Sequence, residues 1–218
     1  MRFHDRRQAG RLLAERLVAL RHEHPVVAAL PRGGVLVASE VAAALGAPLD
    51  VVVVCKIRHP DDPELTLGAI AEGDVSLIDW ALADRAGLGE DEVHRLIALE
   101  RAELDRRAVR YRGARWRMPV EGRSVIVIDD GLVTGLTARA AIAALRRVSA
   151  RQVVLAIPVA PEHALGHLDQ VADGITCLTS PPGFKAVADG YDDFREVTDS
   201  EVAELLTQAA DALHQPLT

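Results

Sequence analysis

The sequence predicts an α/β protein with a doubly wound, mostly parallel sheet. Short runs of valine, isoleucine and leucine alternate along the chain with stretches whose apolar residues recur at helical spacing. Unbroken apolar runs of this kind are typical of strands buried on both faces, and parallel strands need a crossover helix between them. Because ligands in such sheets bind at the carboxyl ends of the strands, a functional site is expected in the loops that follow them.

The first part of the chain is predicted to form one β-turn-α-β unit. Asp5 can cap an amphipathic helix that ends near His24. A strand over residues 26–30 precedes a helix over residues 35–45, and a second buried strand is predicted over residues 50–55. The crossover between these two strands is expected to be right-handed.

The middle of the chain departs from this alternation. Residues 58–66 are polar, contain two prolines and show no periodicity, so they are predicted to form a loop and a candidate lid. Residues 67–71 and 75–78 are predicted to pair as a hairpin, followed by a short helix over residues 79–88. A longer helix over residues 90–112 carries alternating charges, which predicts that it projects from the domain or lines a subunit contact.

The second half returns to regular alternation after a strand at residues 125–128. The later elements are predicted, in order, at residues 136–148 (helix), 152–158 (strand), 162–170 (helix) and 174–178 (strand). Residues 1–218 are therefore expected to form a single domain, with residues 74–121 inserted as a mainly helical segment.

Composition argues against several classes of function. Of the 218 residues, 49% are hydrophobic and only 3% aromatic, which predicts a core of aliphatic side chains. A net charge of −7 gives no overall attraction to nucleic acid, so a nucleic-acid partner is not expected. Cys55 and Cys177 are too few for a disulfide framework, and no apolar run reaches the roughly 18 residues that span a bilayer. The N-terminal residues lack the contiguous apolar segment of a signal peptide, so we expect a cytoplasmic protein with no membrane partner.

The most informative stretch is VIVIDDGLVTGLT at residues 125–137. A buried strand runs into Asp129 and Asp130, then into a loop with two glycines and two threonines, and then into a helix. Loop amides, first-turn helix amides and hydroxyls can hold a phosphate, while the two carboxylates can accept hydrogen bonds from a sugar diol. The glycine spacing and lysine of a Walker A loop are absent, and a receiver domain would place its acids near the start of the chain. The stretch therefore predicts a site for a phosphorylated ribose.

This stretch resembles the phosphoribosyl pyrophosphate (PRPP) binding signature of the type I phosphoribosyltransferases. The resemblance implies that Asp129 and Asp130 bind the ribose 2- and 3-hydroxyls and are the candidate ligands of Mg²⁺. It assigns the 5-phosphate to the loop that follows, namely Gly131, Leu132, Val133, Thr134, Gly135 and Thr137. Several purine-type members carry an aspartate where this chain has Val133, so the suspected base of those enzymes is missing here.

Two further features resemble the pyrophosphate side of the family's site. Arg32, Gly33 and Gly34 follow the first core strand and resemble the short loop that binds pyrophosphate, where glycine allows close approach of the backbone. Taken alone, the same residues fit a helix-entry turn equally well. Lys56, at the end of the second predicted strand, resembles the lysine that meets pyrophosphate in some members. The alternative is a strand-end lysine that extends its charge into solvent.

Two more segments resemble mobile parts of the family's enzymes. Residues 58–66 take the place of the flexible loop that closes over the reaction, and residues 179–197 resemble the hood that covers the acceptor. In the hood, Phe184 is the candidate for stacking on the acceptor and Asp193 for a carboxylate near the metal. The alternative is that the aromatic residues of the hood only pack it onto the sheet.

As a whole, the chain is similar to the stand-alone phosphoribosyltransferases predicted in prokaryotes. The resemblance implies a Mg²⁺-dependent enzyme that transfers 5-phosphoribosyl from PRPP to an unidentified acceptor, expected to be a nitrogenous base, with release of pyrophosphate. Asp129, Asp130, Arg32 and Lys56 are its candidate catalytic residues, and family habit predicts a homodimer. Two alternatives stay open. One is a PRPP-sensing regulator that binds nucleic acid through the arginines at positions 101–117, and the other is a PRPP-binding module of a larger assembly.

Overall fold

The computed structural model describes residues 1–113 and 117–214, in which the chain forms eight strands and seven α-helices. The strands are β1 (Val26–Ala29), β2 (Leu49–Val51), β3 (Val54–Arg58), β4 (Thr66–Ala71), β5 (Val75–Ile78), β6 (Ser124–Ile128), β7 (Gln152–Val159) and β8 (Gly174–Thr179). The helices are α1 (Arg6–Leu17), α2 (Gly34–Leu45), α3 (Trp80–Arg85), α4 (Glu90–Arg112), α5 (Leu136–Arg147), α6 (Glu162–Leu168) and α7 (Asp199–His214). Two 3₁₀ helices, Val18–Glu23 and Val187–Gly190, lie between them.

Five strands form a parallel sheet in the order β2-β1-β6-β7-β8. The direction of winding reverses between β1 and β6, because the chain moves from β1 to β2 on one side and later places β6 on the other. Helices cover both faces: Val27 and Ile126 share a core with α1 and α2, while Val26 and Val125 share a second core with α5. The predicted α/β fold with a doubly wound, mostly parallel sheet is confirmed. A reversal of this kind is where such sheets bind ligands.

The prediction of one strand over residues 50–55 is wrong, because the chain changes sheets within that run. β2 and β3 divide the run between them, and β3 belongs to a second, antiparallel sheet with the order β3-β4-β5. Lys56 therefore lies inside β3, which corrects its predicted position at the end of a core strand. The hairpin predicted over residues 67–71 and 75–78 is confirmed as β4 and β5.

A buried cluster of charges holds the chain where it changes sheets. Nε of Arg112 donates to Asp50 at 2.9 Å, and its Nη1 donates to Glu72 at 2.6 Å. Arg112 also donates to the carbonyl of Val51, and Glu72 accepts from the amide of Val53. Arg112 comes from the end of α4 and Glu72 from the turn after β4. The residues of the apolar run therefore do not by themselves indicate that the chain leaves one sheet between β2 and β3.

Apart from differences of a few residues at the helix ends, the helices depart from the predicted ones at three places. α1 is capped by Asp5, whose Oδ1 accepts from the amide of Gln8 at 2.7 Å, but it is shorter than predicted and a 3₁₀ helix carries the chain to Glu23. α4 does not project from the domain, because it packs on β3 and on α7, where Tyr111 donates to Asp199 at 2.8 Å. α7 has no counterpart in the prediction. No helix in the described part of the chain is long and apolar enough to cross a bilayer.

Candidate functional site

A cleft of about 510 Å³ opens at the carboxyl end of β6, beside the reversal of the sheet. One wall is the loop between β6 and α5, and the other is the small sheet with the loop between β3 and β4. The lining residues are Lys56, Arg58, Pro63, Glu64, Thr66, Asp129, Asp130, Gly131, Leu132, Val133, Thr134, Gly135, Thr137 and Val187. All residues predicted to hold the ribose and its 5-phosphate therefore line one cleft, whose volume suits a small molecule.

The acid pair follows the buried strand β6 directly. Oδ1 of Asp129 accepts from the amide of Asp130 at 2.9 Å, and Oδ2 of Asp130 lies 2.7 Å from Nε of Arg6. Burial raises the pKa of Asp129, and the neighbouring Asp130 raises it further. Burial also raises the pKa of Asp130, although the Arg6 guanidinium acts in the opposite direction. Because only one arginine is bonded to these two acids in the described part of the chain, carboxylate oxygens of the acid pair can still accept hydrogen bonds from a diol or bind a cation.

The loop after the acid pair is shaped by two glycines. Gly135 has a φ of 74°, a left-handed conformation that favours glycine, and it directly precedes α5. A Cβ on Gly131 would lie 2.9 Å from the carbonyl oxygen of Val159, so a side chain has no room there. Val133 is 36% exposed and lines the cleft. The loop thus brings the first turn of α5 to the cleft, an arrangement that favours an anionic group.

The loop after β1 touches the acid pair. A Cβ on Gly33 would lie 1.9 Å from Oδ2 of Asp130, and a Cβ on Gly34 would lie 2.9 Å from Cα of Asp129. Only glycine therefore fits against the two acids at these two positions. The Pro31–Arg32 peptide bond, just before the glycines, is cis. The loop to which the resemblance assigns pyrophosphate therefore lies against the two acids to which it assigns the ribose.

Arg32 lies beside the cleft and is not part of its lining. Its side chain is 44% exposed, and Nη2 donates to Oε1 of Glu196 at 2.9 Å. An exposed ion pair of this kind holds its partners only weakly. A role in pyrophosphate binding requires Arg32 to leave Glu196, and that role stays a prediction.

The small sheet supplies positive charge to the wall opposite the acids. Lys56 and Arg58 are exposed residues of β3, and both line the cleft together with Thr66. The predicted lid is a compact loop, since the amide of His59 donates to the carbonyl of Leu65 at 2.9 Å. The cleft therefore has a cationic wall and an acidic wall, which suits a ligand that carries both phosphates and hydroxyls.

The hood candidates lie outside the cleft. Of the hood segment, residues 179–197, Val187 lines the cleft, whereas Phe184 and Asp193 do not. Phe184 packs in a cluster around Tyr191, and Asp193 is exposed. In this structure Phe184 therefore packs the hood onto the rest of the domain, as the alternative interpretation expects. The roles of Phe184 and Asp193 toward an acceptor or a metal stay predictions.

Arg6 is a residue of the site that the sequence did not single out. It is the first residue of α1 and lies 124 positions before its partner Asp130. An arginine at a helix terminus is ordinarily exposed, so its type and position carry no signal. Its burial follows from the packing of α1 on α2 and against β7 and β8.

The arginines proposed as an alternative nucleic-acid surface are largely engaged with carboxylates. Arg106 and Arg107 pair with Glu103, and Arg110 pairs with Asp199. Arg101 pairs with Asp74. Arg115 lies outside the described residues. These ion pairs reduce the free positive charge of α4 and do not favour the alternative.

The acid pair of the cleft suits one mode of metal binding. No cluster of three or more His, Cys, Asp or Glu side chains able to hold a metal occurs in residues 1–113 and 117–214. Mg²⁺, however, is commonly bound through one or two carboxylates together with substrate phosphates and water. Asp129 and Asp130 fit that mode. The site therefore suits a Mg²⁺ ion that arrives with a phosphorylated substrate.

The chain is similar to known proteins along most of its length. The family model described as a phosphoribosyl transferase domain matches residues 4–193. Mycobacterium tuberculosis proteins named "Putative phosphoribosyl transferase", from strains CDC 1551 and H37Rv, are 42% identical over 207 residues, which are 95% of this chain and 47% of theirs. The crystal structure of TT1426 from Thermus thermophilus is 43% identical, with a TM-score of 0.81 over 95% of this chain and 99% of that one. The chain thus spans about half the length of the curated relatives it matches.

Proposed function

Because the chain belongs to the phosphoribosyl transferase domain family, we propose that it transfers the 5-phosphoribosyl group from PRPP to a nitrogenous acceptor and releases pyrophosphate. One observation carries the proposal: the acid pair, the glycine loop and the first turn of α5 share a single cleft at the reversal of the sheet. A phosphorylated ribose presents a phosphate and a diol, and this cleft offers a group for each.

The donor is proposed to bind along the wall that follows β6. The ribose diol donates hydrogen bonds to Asp129 and Asp130, and the 5-phosphate lies against residues 131–137. Because both carboxyls are half-buried, these hydrogen bonds are stronger than they would be in water. When the bond between C1 of the ribose and pyrophosphate breaks, positive charge develops on the ribose. The adjacent carboxylates offset that charge.

The departing pyrophosphate needs positive charge and hydrogen-bond donors. Lys56 and Arg58 supply two cations from β3, and the glycine loop after β1 brings backbone to the same region. Arg32 supplies a third cation once its guanidinium leaves Glu196 and binds the substrate. This exchange is favourable because a polyanion offers arginine stronger hydrogen bonds than one exposed carboxylate does.

Mg²⁺ is proposed as the metal that accompanies PRPP. Asp129 and Asp130 would hold it together with oxygens of the substrate, and the ion would supply positive charge to the pyrophosphate. Arg6 already engages Asp130, so Asp129 is the more available ligand.

Transfer to an acceptor other than water requires a cleft that excludes water. The loop between β3 and β4 and the hood around Val187 border the cleft, and we propose that they close over it. Val133 stands where purine-type members carry an acid, and its aliphatic side chain cannot accept a proton. The acceptor therefore loses its proton to another group or to solvent.

The decisive experiment measures pyrophosphate release from Mg·PRPP with a panel of purine, pyrimidine and other nitrogenous acceptors. We expect turnover with at least one acceptor, and a loss on the order of 10²-fold in Asp129→Asn and Asp130→Asn, as for other preorganised electrostatic contacts. Asp105→Asn, an exposed change on α4, is the matched control and should behave as wild type. Circular dichroism checks that each variant is folded.

Two results would contradict the proposal. One is PRPP binding and turnover that the two acid-pair variants leave unchanged, which would remove the roles of Asp129 and Asp130. The other is no pyrophosphate release with any acceptor together with a salt-sensitive electrophoretic shift of RNA or DNA, which would support a PRPP-sensing regulator.

We also propose that the protein is a homodimer, on the basis of family habit and of two exposed apolar residues. Leu99 and Val109 of α4 are large apolar side chains that are exposed. Analytical ultracentrifugation of wild type and of Leu99→Lys tests this, because a dimer that uses α4 is weakened by a charge at its interface. A monomeric wild type would contradict the proposal.

A further inference from the structure

Arg6 connects three parts of the molecule through one buried guanidinium. Its Nε lies 2.7 Å from Oδ2 of Asp130, with the two side chains 8% and 13% exposed. Its Nη1 donates to the carbonyl of Arg195 in the hood at 2.8 Å. The guanidinium carbon also lies 3.7 Å from the ring centroid of Phe194, a cation–π contact. A helix, an acid of the cleft and the hood thus meet at Arg6.

A buried ion pair such as this one stabilises a fold little, compared with apolar packing. Removing two charges from water costs free energy that their attraction only partly returns, and well-packed apolar residues often serve as well. Such a pair is therefore weak support for a purely structural role. Its acidic partner, Asp130, is a residue proposed to bind the donor. The location of Arg6 thus points to a role in the function of Asp130.

The residues that precede Arg6 are also hydrogen-bonded to the hood. The amide of Phe3 donates to the carbonyl of Gly190 at 2.8 Å, and the amide of Asp193 donates to the carbonyl of His4 at 2.8 Å. The hydroxyl of Tyr191 donates to the backbone carbonyl of Asp130. The hood is therefore bonded to the N-terminal segment on one side and to the acid pair on the other.

We propose that Arg6 is a positioning residue that orients Asp130 for the donor and couples donor binding to the seating of the hood. The inference rests on the proposed function, because it takes PRPP as the ligand of Asp130. A donor that fixes the Asp130 carboxylate also fixes Arg6, and through it Phe194 and the carbonyl of Arg195. Coupling of this kind is reciprocal, so a correctly seated hood strengthens donor binding.

A merely structural role predicts a different outcome. If Arg6 only stabilised the fold, its replacement would lower the melting temperature without changing how PRPP affects the hood. If Arg6 positions Asp130, two further quantities change: the affinity for PRPP, and the protection that PRPP gives to the hood amides. These two quantities distinguish the roles even in a destabilised variant.

The test compares Arg6→Lys, Arg6→Gln and the matched control Arg7→Gln. Arg7 is the next residue on α1, but its pair with Glu40 is partly exposed and outside the cleft. Arg6→Lys keeps the charge and loses the planar group that contacts three partners, so partial function is expected. Binding of Mg·PRPP is measured by calorimetry, and hydrogen exchange of residues 190–195 is measured with and without Mg·PRPP.

We expect PRPP affinity to fall about 10- to 100-fold in Arg6→Gln, the range for a lost hydrogen bond to a charged group, and less in Arg6→Lys. We also expect Mg·PRPP to slow exchange of residues 190–195 in wild type and in Arg7→Gln, but not in Arg6→Gln. In the absence of ligand, the hood of Arg6→Gln should exchange faster than that of Arg7→Gln.

The possible failures can be separated. If wild type binds Mg·PRPP but Arg6→Gln binds it as tightly and shows the same protection of the hood, this inference is overturned and the proposed function stands. If wild type binds no Mg·PRPP, the proposed function fails and the donor role of Arg6 fails with it. If affinity falls while hood protection is retained, Arg6 acts on Asp130 alone and the coupling is overturned.

Discussion

Gly33 lies so close to Asp130 that a Cβ built on the glycine would sit 1.9 Å from Oδ2 of the acid. The two residues belong to loops that follow β1 and β6, the neighbouring strands at which the winding of the sheet reverses. The contact joins the position assigned to pyrophosphate with the position assigned to the ribose. The two proposed subsites therefore share a direct contact.

Replacement of Gly33 by alanine is expected to disturb both stability and donor binding. The added methyl group must displace Asp130 or the loop, and overpacking of this kind costs roughly 1–3 kcal/mol. We expect a corresponding loss in the free energy of unfolding, measured with urea, and weaker binding of Mg·PRPP, measured by calorimetry.

Gly166→Ala is the matched control for this substitution. Gly166 lies in α6 with nothing within 4 Å of a built Cβ, so alanine should be neutral or stabilise the helix by up to about 1 kcal/mol. Wild-type stability and PRPP affinity in Gly33→Ala would show that the loop is not held against the acid pair.

Lys56→Gln should weaken donor binding without destabilising the protein. Lys56 is an exposed residue of β3 on the wall opposite the acids, and its charge lowers the pKa of Asp129 less than burial and Asp130 raise it, so its removal should cost little stability. We expect the KM for PRPP to rise about tenfold or more, as for a lost hydrogen bond to a charged group, with the melting temperature unchanged. Arg95→Gln, an exposed change on α4, serves as control. An unchanged KM would leave Lys56 as a solvent-exposed lysine without a role.

Arg112→Leu is expected to cost about 3–5 kcal/mol of unfolding free energy, because it leaves buried carboxylates without their cation. Arg112 donates to both Asp50 and Glu72, where the chain passes from one sheet to the other. Arg106→Gln removes an exposed pair with Glu103 and should cost no more than about 1 kcal/mol. Equal losses in the two variants, measured by chemical denaturation, would contradict the structural role of the buried cluster.

The cost of Arg112→Leu should also depend on pH. Burial alone would raise the pKa of Glu72, but hydrogen bonds from Arg112 and from the amide of Val53 outweigh it, so the pKa lies below its ordinary value of 4.5. The unfolded chain therefore binds a proton first as the pH falls, and the stabilisation is lost as the pH passes through the folded pKa. We expect the difference between wild type and Arg112→Leu to be largest near neutral pH and to shrink in acid. A pH-independent difference would contradict this assignment.

Cys55 should resist alkylation while the protein is folded. The residue is 3% exposed in β3, and burial raises the pKa of its thiol from 9.0 to about 11. Because the unfolded thiol ionises first, the contribution of Cys55 to stability declines as the pH rises from 9.0 towards 11. Mass spectrometry after iodoacetamide treatment near pH 8 should find Cys55 unmodified until denaturant is added. Modification at the same rate with and without denaturant would contradict the burial.

The main sheet and its loops could be predicted because their signals are local. The apolar run before Asp129 and the glycines after Asp130 specify a buried strand and a turn by themselves, and the spacing of apolar residues specifies the crossover helices. The order of these elements then places the acid pair and the Gly33 loop at the same edge of the sheet. α7, a regular helix of 16 residues, has no counterpart in the prediction.

What the sequence determined by itself is therefore most of the main sheet, the strand-end acids and the glycine loop that follows them, but not the change of sheet within residues 50–55. Only the tertiary structure decided which side chains meet: Arg6 with Asp130 across 124 positions, Arg32 with Glu196, and Arg112 with the carboxylates where the chain changes sheets. A strand or a turn is specified by neighbours along the chain, whereas the partner of a buried charge depends on how distant elements pack. For that reason the cleft could be predicted from its motif, and the arginine that holds its acid could not.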